Sequence, residues 1–211
     1  MTGEATDQTG RLEAPPGGDR RARNREARRN HLYRAAVELF VDRGFDNTTM
    51  EDIAARADTA RATVFNHFQR KTAFLDEWSL RRRERAQGAL RAEHLEDRSV
   101  REVMTRYFAE LARMSVDTRA ETVACMGAAI HSTNVFGNPA LGHQLGGFVA
   151  RAQAAGEVRP GIDPDQAGLV LATSYFASLS AWIATDPAPF DLEQNMLASL
   201  DMILHGIIAE A

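Results

Sequence analysis

Cysteine is almost absent from this chain of 211 residues, since Cys125 is the only one. One cysteine forms neither an intrachain disulfide nor a multi-cysteine metal site, and the six histidines show no i, i+4 pair of the kind that helical metal ligands use. Cys125 and His131 are six residues apart, which on one helix turns them to different faces, so they do not form a nucleophile–base pair. We therefore expect no metal, no cofactor and no catalytic residue.

Long apolar runs are also missing from the sequence. No stretch approaches the roughly 18 to 20 apolar residues that span a bilayer, and the N-terminus is polar and charged, unlike a signal peptide. Glycine-rich phosphate loops, alternating strand patterns and internal repeats are absent too. These absences predict a cytoplasmic, all-α protein that does not insert into membranes.

Positive charge is unevenly distributed along the chain, and it is nearly all arginine, because Lys71 is the only lysine. The net charge of the whole chain is -4. Residues 1–19 carry -3 and residues 72–211 carry -6, whereas residues 20–71 carry +5, from 12 basic and 7 acidic side chains. A basic segment on an acidic protein directs an anionic polymer to one end of the molecule. Nucleic acid is therefore the expected partner.

The N-terminal third of the chain changes from irregular to periodic. Residues 1–19 contain proline, glycine and acidic residues without apolar periodicity and are predicted to be a disordered tail. From about residue 24 to 43, apolar side chains recur at i, i+3, i+4, i+7 and i+8, which predicts an amphipathic helix that Gly44 closes. Thr48 and Glu51 then have the spacing of a capping box, which predicts the start of a second, short helix.

A third short helix is predicted for residues 60–68, with Thr59 as a candidate cap. Val64 and Phe68 lie one turn apart and form its buried side. A helix that is anchored on one side and polar on the other suits the major groove of a duplex. The side chains expected on its outer face and flanks are Arg61, Ala62, Thr63, Phe65, Asn66 and His67.

Six further helical patterns follow, separated by proline, glycine and asparagine turn signals. Together with the first three they predict an all-α chain of about nine helices. The six patterns run over about 71–93, 99–116, 121–135, 140–155, 164–184 and 192–209.

Arginines are concentrated at the start of the first helix. They form a basic arm that could follow the DNA backbone or enter a minor groove. Alternatively, these arginines form a solvated, disordered face without a partner. The sequence does not decide between the two interpretations. Within the arm we predict that Arg28 contacts DNA. The arm consists of Arg20, Arg21, Arg23, Arg25, Arg28 and Arg29.

At these residues the chain resembles a known family. RAAVELFVDRGFDNTTMEDIA, from residue 34, and TARATVFNHFQRK, from residue 59 to 71, are similar to the DNA-binding segment of the TetR family of bacterial repressors. The resemblance implies a helical homodimer, with a helix-turn-helix domain at 20–70 and a ligand-binding and dimerisation domain at 71–211. It places DNA contacts at Thr48, Thr49, Arg61, Ala62, Thr63, Phe65, Asn66, His67 and Lys71.

Two positions depart from the family pattern. Phe65 stands where the family usually has tyrosine, and phenylalanine cannot donate a hydroxyl hydrogen bond to phosphate. The usual Gly-Val-Ser turn is matched to Ala57-Asp58-Thr59, so the turn has no glycine and has an acid near the DNA.

The C-terminal part of the sequence predicts an interface and a pocket. Two apolar stripes on the last two helices would form a four-helix interface with a second subunit, which agrees with the family resemblance; an intramolecular pair is the alternative. The interface candidates are Phe176, Ile183, Met196, Leu200, Ile203 and Ile207. A cavity for a largely apolar or aromatic ligand is predicted among aromatic and thioether side chains, although such stripes also build ordinary cores. The pocket candidates are Trp78, Met104, Tyr107, Phe108, Leu111, Met126, His131, Phe136 and Phe148.

The sequence thus predicts a transcriptional regulator whose partners are double-stranded operator DNA, a small-molecule effector and a second copy of the chain. The main hypothesis is a repressor that the effector releases from a pseudo-palindromic operator. An activator or an effector-independent DNA-binding protein is the alternative. A more remote alternative is a small-molecule binding protein or hydrolase with an incidental helical head. The sequence shows no aligned nucleophile and base for a hydrolase.

Overall fold

A computed structural model describes residues 17–132 and 140–207, with side chains from residue 20 onward. Within these ranges the chain forms nine helices and no β-sheet. The prediction of an all-α fold with nine helices is therefore confirmed. The helices are α1 Gly17–Arg43, α2 Met50–Arg56, α3 Arg61–His67, α4 Thr72–Ala92, α5 Val100–Asp117, α6 Arg119–Ser132, α7 Ala140–Ala154, α8 Pro164–Ile183 and α9 Leu192–Ile207.

The largest difference from the predicted boundaries is at the start of α1. This helix begins at Gly17, seven residues before the predicted start, so the last three residues of the expected tail are helical. Residues 1–16 of that tail lie outside the described residues. At its other end α1 stops as predicted, because Gly44 adopts a φ of +84° and its N–H reaches the Phe40 carbonyl at 3.0 Å.

The first three helices form a small unit, here called the head, around side chains that have no contact with water. Leu32, Leu39, Ile53 and Val64 are fully buried within it. Val64 comes from the middle of α3, a helix of only seven residues that is too short to be stable alone. Tertiary packing against α1 and α2 therefore holds α3 in place.

The turn between α2 and α3 is built without glycine. Asp58 adopts a φ of +44°, which only short polar residues and glycine visit readily. Its N–H bonds to the Ala55 carbonyl, and the Thr59 N–H reaches back to the Ala54 carbonyl at 3.0 Å. This pair of bonds is a Schellman arrangement, which satisfies the last carbonyls of α2. Ala60, and not Thr59 as predicted, is the N-cap of α3, and it offers no side-chain hydrogen bond.

The remaining six helices, here called the body, pack around a second part of the core. Helix α9 lies against α5, and α7 lies against α8. The α7–α8 contact is backbone to backbone, since a Cβ added at Gly168 would come within 2.2 Å of the Gly142 carbonyl oxygen. Among the described residues no helix combines the length and apolar character that crossing a membrane requires.

Cys125 lies in the middle of α6 and is completely buried. Burial raises the pKa of its thiol, and the nearby negative charge of Glu121 acts in the same direction. A neutral thiol without access to solvent is chemically inert.

Candidate DNA-binding face and effector site

Helix α3 presents two different sides. On the inner side Val64 is fully buried, and the Phe68 ring stacks on the Phe74 ring with a centroid distance of 3.9 Å. On the outer side Phe65 and Asn66 are exposed. The inner contacts fix the helix, so its outer face has a defined orientation. This face is where the sequence predicts base contacts.

Arg61 opens α3 and projects from the head. Its Nε lies 2.7 Å from the Glu51 carboxylate, and its guanidinium lies 5.1 Å from the centre of the Phe65 ring. Both partners of the ion pair are more than half exposed. Exposed pairs of this kind contribute little to stability, so Arg61 can exchange Glu51 for a base edge or a phosphate at small cost.

The two threonines before α2 have different roles. Thr48 is 1% exposed, and its hydroxyl donates to the Gly44 carbonyl at 2.8 Å, so its side chain cannot contact DNA as predicted. Thr49 is the N-cap, and it forms a capping box with Asp52 and not with Glu51. Thr49 is exposed and remains a candidate phosphate contact at the N-terminus of α2.

Lys71 is bound to the head by its own hydrogen bonds. Its Nζ donates to the carbonyls of Phe45 and Thr48, at 2.6 and 2.8 Å, and lies 4.2 Å from the centre of the Phe45 ring. The single lysine therefore holds the α1–α2 loop against the start of α4. This structural role accounts for the position of Lys71 without any phosphate, so the predicted contact stays a prediction.

A cluster of charges joins α1, α3 and α4. Arg29 of α1 donates to the carbonyl of His67, at the end of α3, and to the buried carboxylate of Glu77 on α4, at 2.8 and 2.6 Å. Arg81 donates to Glu77 at 2.8 Å and also to Asn30. Burial alone would raise the pKa of Glu77, but the hydrogen bonds from Arg29 and Arg81 outweigh it and hold this pKa below its usual value. Here this cluster is called the clasp.

His67 lies beside the clasp and beneath the basic arm. Partial burial lowers the pKa of its imidazole, and the positive charges of Arg25, Arg29 and Arg28 lower it further. Arg28 itself is exposed. Three arginines thus act on the end of α3, of which Arg29 is paired with Glu77, and their net positive charge favours an approaching polyanion.

The body contains a chamber of about 130 Å³ between α4, α6, α7 and α8. Its walls include Trp78, Met126, Leu141 and Phe176. A recess of about 10 Å³, roughly the space of one water molecule, adjoins it and is lined by Arg82, Leu111 and Tyr175 as well.

Comparison with known proteins identifies the head. Residues 32–78 match the model of the family described as bacterial regulatory proteins, tetR family. The structure also resembles that of FadR from Thermus thermophilus, a TetR-family transcriptional repressor solved with lauroyl-CoA. The two chains are 27% identical, with a TM-score of 0.66, and the match covers 87% of this chain and 96% of FadR. The head therefore matches the TetR family, and the described fold is that of a TetR-family repressor.

Curated relatives match the chain only in part. The transcriptional activator FasR of Mycolicibacterium smegmatis is 42% identical over 59 residues, which are 27% of each chain. The transcriptional repressor DhaR of a Mycobacterium species is 35% identical over 46 residues, which are 22% of this chain and 23% of DhaR. These matches thus span about a quarter of the relatives. The structure of the repressor SmeT of Stenotrophomonas maltophilia is 22% identical over 87% of this chain and 91% of SmeT, with a TM-score of 0.66, and supports the TetR fold.

Only part of the predicted pocket lines the chamber. Trp78 and Met126 do, and Leu111 lines the adjoining recess. Three other candidates are core residues, and Phe148 lines a separate surface cleft. His131 is exposed and bonds the Gly127 carbonyl of its own helix, while Phe136 lies outside the described residues. The three core residues are Met104, Tyr107 and Phe108.

The predicted dimer interface also needs correction. Met196 and Leu200 are 1% and 2% exposed because their stripe of α9 faces the core of the same protomer, and Phe176 is buried against the chamber. These three side chains are not available to a second subunit in this fold. Ile183, Ile203 and Ile207 are half-buried and stay candidates.

Sequence reasoning missed the polar lining of the chamber and its recess. Arg82 and Arg83 belong to a run of three arginines on α4, a pattern that is typical of a solvated helix face. Only the packing of α4 against α5 turns Arg82 inward. The hydrophobic periodicity of α4 offered no signal for this.

Proposed function

We propose that this protein is a homodimeric transcriptional regulator of the cytoplasm that binds operator DNA and is released from it by a small ligand. The observation that carries the proposal is the division of α3. Val64 and Phe68 fix this helix from the inside, whereas its opposite side is exposed. A helix fixed in this way can enter a major groove and place its outer side chains against base edges.

The outer side chains of α3 suit different parts of a duplex. Arg61 can pair with guanine O6 and N7, and Asn66 can pair with adenine N6 and N7. Thr49 and the arginine arm, with Arg28, suit phosphates, which fix the register but carry no sequence information. The head therefore has both kinds of group that a sequence-specific protein needs.

Two copies of the head are needed to read a pseudo-palindromic operator. The solvent side of α8 and α9 is the surface that we assign to the dimer. It exposes Leu169, Val170 and Met202, the last with 70% of its surface accessible. Small side chains lie beside them at Thr173 and Ala177, which allows close approach of helices. Two helices from each copy would form a four-helix interface and set the heads about 34 Å apart.

Helix α4 connects the chamber to the head and divides the proposed domains, 20–70 for DNA and 71–211 for ligand and dimer. Glu77 and Arg81 belong to the clasp that holds α1 and α3. Trp78 lines the chamber, and Arg82 lines the recess beside it. A ligand that shifts α4 therefore changes the spacing of the two α3 helices. Ligand binding then lowers the affinity for DNA. This loss cannot exceed the ligand's preference for the state that does not bind DNA. The acyl-CoA bound to FadR supports a ligand with an apolar part.

The proposal is tested by selecting binding sites from random duplexes with the purified protein. We expect a pseudo-palindromic site, on which Arg61→Ala costs about 1 to 3 kcal/mol with relaxed preference at one base per half-site. Binding to random DNA should fall much less. Arg91→Ala, which removes an exposed arginine near the end of α4, is the matched control and should leave both affinities unchanged. If Arg61→Ala loses equal affinity for selected and random DNA, Arg61 does not contact a base. If no site is selected at all, the proposal is refuted.

Activation in place of repression is a second candidate, since FasR is a transcriptional activator. The geometry of the head is compatible with repression and with activation. Reporter output from the selected operator separates them, because deleting the gene raises output for a repressor and lowers it for an activator.

A further inference from the structure

Arg82 is a buried cation with an incomplete set of partners. Its side chain is 7% exposed, and Nη2 donates to the Leu111 carbonyl at 3.1 Å and to the Ser115 hydroxyl at 2.5 Å. Its Nε is buried without a hydrogen-bond acceptor among the described residues. Two neutral oxygens thus accept hydrogen bonds from a full positive charge, and the buried Nε–H has no acceptor.

Other arginines of α4 and α5 show what Arg82 lacks. Arg81 bonds Glu77, Arg85 bonds Glu110, and Arg106 bonds both Glu93 and Glu110. In the described part of the chain no carboxylate lies within 4.0 Å of the Arg82 guanidinium. A buried charge without a counter-ion is unfavourable, so an anion that reached Arg82 would gain more than one at the surface.

A second unsatisfied donor lies next to Arg82. Trp78 is 2% exposed, and its Nε1 has no acceptor among the described residues. The Arg82 guanidinium lies 4.7 Å from the centre of the Trp78 ring, and both side chains line the recess. Two side chains with buried, unsatisfied N–H groups therefore line one small space, which shares Trp78, Met126 and Phe176 with the chamber.

The chamber limits the size and polarity of what can bind. Its volume of about 130 Å³ is close to the roughly 150 Å³ of cavities that hold benzene. Trp78, Met126 and Phe176 supply apolar walls. The acid on its rim, Asp76, is paired with Arg70 at 3.2 Å, and Arg83 bonds Ser79 at 2.8 Å, so the field at the inner end is positive.

We propose that the effector is a small organic acid, whose carboxylate binds Arg82 and the Trp78 Nε1–H and whose ring-sized apolar body fills the chamber. The inference rests on the proposed function, because it names the ligand class of the same regulator. A carboxylate offers the acceptors that these donors lack, and charge-assisted bonds are the strongest that they can form. Bound there, it acts on the residues of α4 next to the clasp.

The test is calorimetric titration of the full-length protein with benzoate and phenylacetate, each against its neutral amide. We expect the acids to bind about tenfold or more tightly than the amides, as hydrogen bonds to a charged group imply. Arg82→Gln should remove this preference, and Arg91→Gln should keep it. Because Arg82→Gln leaves the apolar walls intact, amide binding should persist and report that the variant is folded.

Two outcomes would overturn the inference: neither acid binds better than its amide, or Arg82→Gln retains the preference. If Arg82→Gln does not fold, Trp78→Phe takes its place, since it removes one donor and keeps the ring shape, and an unchanged acid preference there contradicts the proposed contact. Failure of the proposed function looks different. If the protein binds the acids but no operator, the proposed function is wrong and the acid site stands. If it binds an operator but no acid, the acid site is wrong and the proposed function stands.

Discussion

The surface arginines of the head and Arg82 of the body have opposite surroundings. In the head, Arg56 is paired with Glu38 and Asp42, and Arg61 with Glu51, in each case near the surface. In the body, Arg82 is buried against neutral oxygens. Surface pairs exchange partners at little cost, whereas a buried charge binds a partner strongly or not at all. The head is therefore suited to a large polyanion and the body to one small anion.

Packing also differs between the two regions, and the largest predicted effect tests this. Gly168→Ala would place a Cβ within 2.2 Å of the Gly142 carbonyl oxygen, so α7 and α8 must separate. We expect a loss of about 3 kcal/mol or more in the free energy of unfolding, at the upper end of the range for overpacking. Urea titration followed by circular dichroism measures it. Gly147→Ala on α7 is the control, since a Cβ there meets nothing within 4 Å and should leave stability unchanged or raise it.

The head depends more on hydrogen bonds than on close backbone packing, as Lys71 shows. Lys71→Met keeps the apolar stem but leaves the Phe45 and Thr48 carbonyls without their donor. We expect a loss of about 1 to 3 kcal/mol, because hydrogen bonds from charged groups are worth more than neutral ones. Thermal unfolding measures it, with Arg70→Met as the neighbouring control, whose exposed pair with Asp76 contributes little. Full stability of Lys71→Met would mean that Lys71 is free for phosphate.

A gain of stability is expected at the start of α3. Ala60 is an N-cap without a side-chain acceptor and has extended backbone angles that suit serine. Ala60→Ser should therefore add about 1 kcal/mol, the usual worth of an N-cap. Chemical denaturation measures it, and Ala62→Ser, inside the first turn, should give no such gain. If both variants behave alike, the hydroxyl introduced at the N-cap does not cap the helix.

The smallest predicted effect concerns pH at the end of α3. The pKa of His67 is lowered by burial and by Arg25, Arg29 and Arg28. In the DNA-free protein, lowering the pH through 6.5 protonates this histidine in the unfolded chain before it does so in the folded one, which reduces stability. The loss of stability stops growing once the pH is below the lowered pKa of the folded state. In the DNA complex, bound phosphates oppose the charges of the arginines and raise the pKa of His67, so DNA binding takes up protons. Operator affinity should therefore rise a few-fold as the pH falls from about 8 to 6. His67→Gln should flatten this dependence; the same slope in both proteins would place the phosphates elsewhere.

Much of the fold was predictable because helices are encoded locally. Apolar periodicity and turn residues located all nine helices. Local pattern failed at Thr48 and Thr49, where two adjacent threonines precede two acids and either pair has capping spacing. In the structure the Thr48 hydroxyl donates to the Gly44 carbonyl within the loop, which leaves Thr49 as the cap, and the capping spacing alone does not encode that bond.

Site residues were less predictable where tertiary packing sets their role. The exposed side of α3 follows from the spacing of Val64 and Phe68. The chamber and its recess do not follow from any spacing, because Trp78 and Arg82 become their walls only when α4 packs against α5 and α6. The inward side of α9 is a similar case. An apolar stripe has the same sequence whether it faces its own core or a second subunit.

The buried thiol of Cys125 makes the interior of the body accessible to measurement. Because the chain has one cysteine and it is fully covered, a thiol reagent can modify only molecules in which α6 has opened. The labelling rate of the unmodified protein therefore counts these openings at a single known position. Met126, the next residue along α6, lines the chamber, so an occupant of the chamber would slow the labelling.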